Sequence, residues 1–219
     1  MIVYYDIAVI GAGIAGLAVS YSLIKRRPDL KIVVLERERI PGAGATGRCT
    51  GGIRHQFTHP LNVLLTALSY PYWQNFSRLT GEPISFRPCG YLLLTSSAPR
   101  WQELQRMTAL LNNLNIPLTI FTPDELAARY PFLHTTDLLG GTLCPLDAYA
   151  DPGSAVAGYY RQIRYAGVEV SCNEEVIAVD VDHTMYPPQV NGLRTSKRYL
   201  QAGLVINAAG PWFDQICSL

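Results

Sequence analysis

Several absences narrow the field before any motif is read. The chain has no charge excess: 18 basic and 17 acidic residues leave a formal charge of +1. Nucleic-acid binding needs a clustered basic surplus, and Arg100 and Arg106 only punctuate a solvated helix face. No apolar run approaches the ~20 residues of a membrane span. Nor does the chain open on the charged, apolar and small-residue sequence of a signal peptide, which sets the expectation of a cytoplasmic protein. The five cysteines, Cys49, Cys89, Cys144, Cys172 and Cys217, are odd in number and form no C-x-x-C pair, so neither a disulfide framework nor a zinc site is expected. Among the four histidines only His55 and His59 have ligand-like spacing, and they precede Pro60 with no companion ligand, so no metal is expected. There is no Ser-His-Asp arrangement or carboxylate pair pointing to hydrolysis, no internal repeat and no low-complexity tract.

What is present is concentrated in the first 38 residues. An apolar strand carrying Ile7, Val9 and Ile10 runs into Gly11-Ala12-Gly13-Ile14-Ala15-Gly16, then a helix, then Ile32-Val33-Val34-Leu35 ending in Glu36. Gly11 suits the tight turn off the strand, Gly13 the approach of a pyrophosphate, and Gly16 close packing of helix on strand. Anionic phosphate is favoured over the N–H groups and dipole of a helix N-terminus. Glu36 stands where a carboxylate holds a ribose hydroxyl. This spacing permits either a flavin or a nicotinamide dinucleotide.

Hydrophobic periodicity predicts strands over 2–10 and 31–36 and a helix over 14–27, with a glycine-rich loop over 40–53. A helix over 60–78 starts on Pro60, and its stripe of Leu61, Leu64, Leu65, Leu68 and Tyr72 reads as core, with a kink or early break at Pro71. Phe86 to Thr95 reads as a hairpin turning near Cys89-Gly90, with Tyr91 to Leu94 as a buried strand. A helix follows over 99–113, and Thr122-Pro123-Asp124-Glu125 is a capping box. Gly140 to Leu143 reads as a strand edge, Asp151-Pro152-Gly153 as the start of a helix to about Tyr165, and 168–170 and 176–181 as strands. Tyr186 to Ser196 reads as a turn-rich loop, and Tyr199 to Asn207 as a final strand. The α/β pattern is thus interrupted by a hairpin-bearing segment and then resumes. The expected boundaries are one domain from 1–80 and 144–219, and an inserted one from 81–143.

Four segments together resemble the FAD-dependent amine and amino-acid oxidoreductases, the group of D-amino-acid oxidase, glycine oxidase and sarcosine oxidase. The likeness is greatest to the β subunits of dye-linked L-proline dehydrogenase and heterotetrameric sarcosine oxidase. The segments are Gly11–Gly16 with Glu36-Arg37-Glu38; Ala45-Thr46-Gly47-Arg48-Cys49-Thr50-Gly51-Gly52-Ile53-Arg54-His55-Gln56-Phe57; Cys89-Gly90-Tyr91-Leu92 with Asp147–Pro152; and Val205-Ile206-Asn207-Ala208-Ala209-Gly210-Pro211-Trp212. The resemblance implies an α/β fold: a Rossmann-like FAD-binding domain with an inserted mixed α+β substrate domain, C-terminally incomplete. It implies FAD as cofactor, held by Gly11 to Gly16, Glu36, Arg37, Ala45, Thr46, Arg48, Cys49, Thr50, Gly51, Gly52, Val176, Ala208, Ala209, Gly210 and Trp212. In that reading Gly51 and Gly52 admit the flavin ring. Arg54, His55 and Tyr91 are then the substrate candidates, with Arg54 able to pair bidentately with a carboxylate and His55 a candidate base.

The implied reaction removes a hydride equivalent from a carbon bearing an amine, in an amino acid or secondary amine such as proline, sarcosine or glycine. FAD accepts it, and water hydrolyses the resulting imine. Members of the resembled group continue well past the position matching Leu219. The expectation is therefore a split subunit with a partner chain or a truncated flavoprotein, with exposed edges favouring oligomerisation. The alternatives are a non-catalytic dinucleotide-binding or assembly subunit and a nicotinamide dehydrogenase.

Overall fold

The structure is a computed structural model describing residues 3–219; residue 2 of the expected first strand lies outside the described residues. In chain order the elements are β1 (Val3–Ile10), α1 (Ile14–Arg26), β2 (Ile32–Leu35), β3 (Gly52–Ile53), α2 (Pro60–Gln74), α3 (Phe76–Thr80), β4 (Arg87–Pro88), β5 (Tyr91–Thr95), α4 (Ala98–Asn113) and β6 (Thr119–Phe121). There follow α5 (Pro123–Arg129), β7 (Gly140–Cys144), β8 (Ala148–Tyr149), α6 (Pro152–Tyr165), β9 (Glu169–Ser171), β10 (Val176–Asp182), β11 (Gln189–Thr195), β12 (Tyr199–Asn207) and α7 (Phe213–Cys217). They divide into two compact units, one of 1–49, 80–83 and 152–219, the other of 50–79 and 84–151. The division falls at 49/50, 79/80, 83/84 and 151/152, where the sequence reading drew it at 80/81 and 143/144. Among the described residues no helix is long and apolar enough to cross a membrane.

The first unit is built on a six-stranded sheet in the order β10-β11-β12-β1-β2-β9. Strands β12, β1, β2 and β9 run parallel, while β10, β11 and β12 form an antiparallel meander. All four residues of β2 are buried, as expected of a parallel strand covered on both faces. One face packs Ile7, Val9, Ile32 and Val34 on Leu17, Tyr21 and Ile24 of α1 and Ile163 of α6. The other packs Tyr5, Ala8, Ile10, Val33 and Leu35 on Val176, Leu193 and Leu200. Each fully buried Leu, Ile or Val contributes about 1.5–3 kcal/mol.

One expectation in this unit is corrected. Tyr186 to Ser196 is not all loop, since β11 occupies Gln189–Thr195 and pairs with strands on both sides. Its only large buried apolar residue is Leu193, so no local alternation marks it. Its partners, β10 and β12, define it instead.

The second unit contains two three-stranded sheets, β3-β8-β4 and β5-β7-β6. Its core joins Val63 of α2 to Leu104, Met107 and Leu111 of α4 and to Cys144 of β7. The expected hairpin over Phe86 to Thr95 does not form. β4 pairs with β8 and β5 with β7, so Cys89-Gly90 is a corner at which the chain changes sheets, with Gly90 at φ +72°. β7 is the central strand of its sheet, not an edge. A Cβ on Gly141 would stand 2.7 Å from the Leu93 carbonyl oxygen, and this is why the central strand carries glycine.

The helix expected over 60–78 is two helices. α2 runs through Pro71, and the break comes at Asn75, whose backbone N–H and side-chain amide both donate to the Pro71 carbonyl at 3.1 and 2.8 Å. The stripe expected as core is exposed: Leu61, Leu64, Leu65, Leu68 and Tyr72 are 44–70% accessible. The inward face is Val63, Ala67 and Tyr70, also at helical spacing. α2 is apolar on two faces, and periodicity alone does not choose between them. The capping box at Thr122 and Glu125 forms as expected, with both reciprocal hydrogen bonds.

Candidate functional site

In the first unit the glycine-rich turn is shaped by close backbone contacts. Gly11 has φ +103°, and a Cβ on it would stand 2.6 Å from the Ala208 carbonyl oxygen. A Cβ on Gly16 would stand 2.0 Å from the Gly11 carbonyl oxygen, so α1 lies directly on the turn. Gly13 is the N-cap of α1 and supplies no side-chain cap. Thr46 reaches the same end of the helix, where its hydroxyl accepts the Ile14 N–H at 3.1 Å. Glu36, at the end of β2, accepts the Ala12 N–H at 2.8 Å on one oxygen and the Glu38 N–H at 2.9 Å on the other. The carboxylate is thereby oriented by backbone donors from both sides.

These features border one cleft of about 360 Å³. Its wall is made by Ile10, Gly11 and Gly13–Ala15, by Leu35–Glu38, by Gly44–Thr46, by Glu174–Val176, by Ala208–Trp212, and by Gln215, Ile216 and Leu219. At one side the Arg37 guanidinium lies 4.1 Å over the Trp212 ring and 3.4 Å from Glu38. A Cβ on Gly44 would meet that ring at 3.4 Å.

Most residues expected from sequence to hold a dinucleotide meet here: Gly11, Gly13, Ile14, Ala15, Glu36, Arg37, Ala45, Thr46, Val176, Ala208, Ala209, Gly210 and Trp212. Ala12 and Gly16 are buried behind the wall. Arg48 and Cys49 are exposed and do not line the cleft. Thr50, Gly51 and Gly52 belong to the second unit. Sequence reasoning did not assign Ile10, Leu35, Glu38, Gly44, Glu174, Glu175, Pro211, Gln215, Ile216 and Leu219 to the site. Glu38 and Pro211 lay within the segments of the resemblance, Gly44 in the glycine-rich loop, and Ile10, Leu35, Glu174 and Glu175 beside assigned residues, whereas Gln215, Ile216 and Leu219 carried no signal.

The second unit holds a buried polar cluster. Asp147, fully buried, accepts the His55 backbone N–H at 2.5 Å and hydrogen-bonds His55 Nδ1 at 3.1 Å through one carboxyl oxygen. Its other oxygen accepts Gln56 Nε2 at 2.9 Å. Gln56 also donates to the Tyr91 carbonyl at 2.7 Å and accepts the Thr142 hydroxyl at 2.8 Å. The Asp147 backbone carbonyl accepts the N–H groups of Cys89 and Gly90. One aspartate thus ties the Arg54–Gln56 segment to the corner that opens β5.

This arrangement corrects the expectation that His55 faces a substrate. The His55 ring is 2% exposed, engaged by Asp147 and packed 5.1 Å from the Tyr70 ring. Arg54 is exposed, its guanidinium 5.7 Å from the Phe57 ring. Tyr91 is half-buried, and its hydroxyl fills the space a Cβ on Gly52 would need, 2.2 Å away. A side chain on Gly52 would therefore have to displace the Tyr91 ring within the same unit.

Ligand atoms of His55, Cys144 and Asp147 lie within 4.8 Å of one another. Burial and then the Asp147 charge push the Cys144 thiol up to about 12. Both Asp147 oxygens are already occupied by N–H donors. His59 is exposed and accepts the Leu61 N–H at the start of α2.

A sequence-family description, FAD dependent oxidoreductase (DAO), matches residues 6–219. The chain belongs to the FAD-dependent oxidoreductase family. The L-proline dehydrogenase of P. horikoshii superposes with a TM-score of 0.85 at 28% identity, over 100% of this chain and 56% of that one. Sarcosine oxidase subunit beta of Rhodobacter capsulatus is 28% identical over 94% of this chain and 50% of its own length. The mitochondrial L-2-hydroxyglutarate dehydrogenase of Homo sapiens is 26% identical over 98% and 48%. The chain spans about half the length of the curated relatives it matches. The residues of the cleft suit the family's cofactor. Glycines keep side chains off the end of α1, and a carboxylate held by backbone donors waits at the end of β2, as a pyrophosphate and a ribose require.

Proposed function

We propose that this flavoprotein chain forms the FAD-binding part of an oxidoreductase that oxidises the C–N bond of an amino acid or secondary amine such as proline, sarcosine or glycine. The observation that carries the reading is the cleft itself, where Gly11, Gly13, Glu36, Val176 and Ala208–Gly210 converge from four separate stretches of chain. The N-terminal end of α1 would hold the pyrophosphate, Glu36 the adenosine ribose, and Arg37, Val176 and Trp212 the adenine side. Arg48, Cys49, Thr50 and Gly51 belong to the same reading as neighbours of the flavin half. Bound FAD supplies the two-electron acceptor, the part of the chemistry no side chain can perform. Arg54, charged and exposed, is suited to pair with a substrate carboxylate. Asp147, through His55 and Gln56, holds the segment that carries Arg54. Identity to proline dehydrogenase and sarcosine oxidase subunit beta favours an amine substrate, and the latter a partner subunit.

A second reading keeps the same groups and changes the oxidised bond. The identity to L-2-hydroxyglutarate dehydrogenase favours a 2-hydroxy acid, in which the carbon next to the carboxylate bears a hydroxyl in place of an amine. A visible absorbance titration of the 219-residue chain with FAD tests the cofactor assignment. Uptake with resolved flavin bands is expected, and a chain that takes up none would remove it. Anaerobic addition of proline, sarcosine, glycine and L-2-hydroxyglutarate then separates the substrate classes, because the true substrate bleaches those bands. Uptake without bleaching by any of them would favour a binding or assembly role.

A further inference from the structure

A cluster of charged residues, Arg198, Glu169 and Glu174, shares one member, Glu174, with the cleft wall. Arg198, in the turn between β11 and β12, directs Nε to Glu174 at 3.0 Å and Nη2 to Glu174 and Glu169 at 3.3 and 2.5 Å. Its Nη1 lies 3.5 Å from the hydroxyl of Tyr5, which also donates to Glu169. The Glu174 side chain is 1% exposed and accepts further hydrogen bonds from Thr195 at 2.8 Å and Ser171 at 2.5 Å. A buried carboxylate of this kind needs its full set of partners, because losing the cation leaves an uncompensated charge.

The backbone beside that carboxylate is strapped to the strand end that carries Glu36. The Glu174 N–H donates to the Glu36 carbonyl at 2.8 Å, and the Asn173 N–H to the Glu38 carbonyl at 2.9 Å. From the other side Ser196 N–H donates to the Glu175 carbonyl at 2.8 Å, and Glu175 N–H to the Ser196 hydroxyl at 3.1 Å. Glu174, Glu175 and Val176 line the cleft, as do Ala208–Trp212, and Arg198 is not part of the lining.

We propose that Arg198 is a positioning residue for the adenosine half of the dinucleotide site: by gripping the buried Glu174 carboxylate it fixes the Asn173–Val176 wall against Glu36–Glu38. This role rests on the reading of the cleft as the FAD site. The guanidinium is suited to it because its planar fork engages Glu174 and Glu169 together, which a lysine ammonium on a flexible stem does not.

The test uses the 219-residue chain and its Arg198→Lys and Arg198→Met variants, with FAD and ADP as calorimetric probes and amide hydrogen exchange on the ligand-free proteins. Arg198→Met is expected to weaken FAD and ADP by a similar factor, roughly two- to thirty-fold, with Arg198→Lys between it and the wild type. Exchange is expected to accelerate at Asn173 and Glu174, whose amides bond Glu38 and Glu36, while the amides of α1 keep their protection. Where Arg198→Met does not fold, Arg198→Lys carries both measurements. Wild-type affinity for ADP in a folded variant, or unchanged exchange at Asn173 and Glu174, overturns the proposal. A wild-type chain that binds neither FAD nor ADP overturns the cleft reading and, with it, the role of Arg198. In that case faster exchange at Asn173 and Glu174 still locates the failure in the cofactor assignment and not in the clasp.

Discussion

Asp147→Ala removes the acceptor that, among the described residues, serves two buried donors of His55. The side chain is fully buried and accepts the His55 N–H at 2.5 Å, His55 Nδ1 at 3.1 Å and Gln56 Nε2 at 2.9 Å. Gln56 keeps the Tyr91 carbonyl at 2.7 Å, so its loss is partial. Each His55 donor left unsatisfied costs about 1–3 kcal/mol, which places the substitution at roughly 2–6 kcal/mol. That is a large fraction of the about 5–15 kcal/mol by which a domain is stable. Asp147→Asn retains one acceptor oxygen and should cost roughly half as much on the same scale. Urea unfolding followed by circular dichroism measures both. With a slope of about 2 kcal/mol per molar urea, the alanine variant should lose on the order of 1–3 M in midpoint. A midpoint unchanged from wild type would mean that the His55 donors find other partners and that Asp147 does not organise the Arg54–Gln56 segment.

Three further outcomes are expected. Gly13→Trp places a large side chain at the N-terminal end of α1, where even a Cβ would stand 3.3 Å from the Thr46 hydroxyl; FAD uptake should disappear while the far-ultraviolet spectrum is retained, and normal flavin content would remove this turn from the cofactor site. Arg54→Ala should weaken carboxylated substrates more than uncharged amines in steady-state kinetics of the flavin-loaded protein, and an equal effect on both would take Arg54 out of substrate recognition. Acid should loosen the Arg198 clasp. Burial pushes the Glu174 carboxyl up, but hydrogen bonds from Ser171, Arg198 and Thr195 and the Arg198 charge outweigh it and hold it below the usual carboxylate range. Glu169 is likewise pushed up by burial and held down by Tyr5 and Arg198. Groups depressed in the folded state stabilise it above their unfolded value, about 4.3 for glutamate, and that stability is lost as pH falls through the folded values. The urea midpoint should therefore fall below about pH 4, more steeply in wild type than in Glu174→Gln, and parallel curves would exclude Glu174 from the acid response.

The legible parts of this protein are those governed by short-range geometry. Gly11 and Gly16 could be assigned their roles from spacing, because a turn with positive φ and a helix lying on its own strand leave no room for a side chain. The Thr122–Glu125 capping box was readable for the same reason, since both partners lie within one helical turn. Val205 to Trp212 could be placed by its resemblance, and β12 does bring Ala208 against Gly11.

The remainder depended on partners far away in the chain. His55 looked like a substrate-facing base until Asp147, 92 residues later, held it in the core. The stripe of Leu61, Leu64, Leu65, Leu68 and Tyr72 had core periodicity, yet α4 and β7 packed on the other apolar face of α2. β11 has almost no pattern of its own and exists because β10 and β12 flank it. Arg198 carried no motif, and only the fold brings it to Glu169 and Glu174 beside the cleft. Local sequence determined turns, caps and the glycine cradle, because their energies come from atoms a few residues apart. Tertiary structure decided which apolar face is buried, which strands pair and which charges meet, because those energies come from contacts that no local stretch of sequence contains.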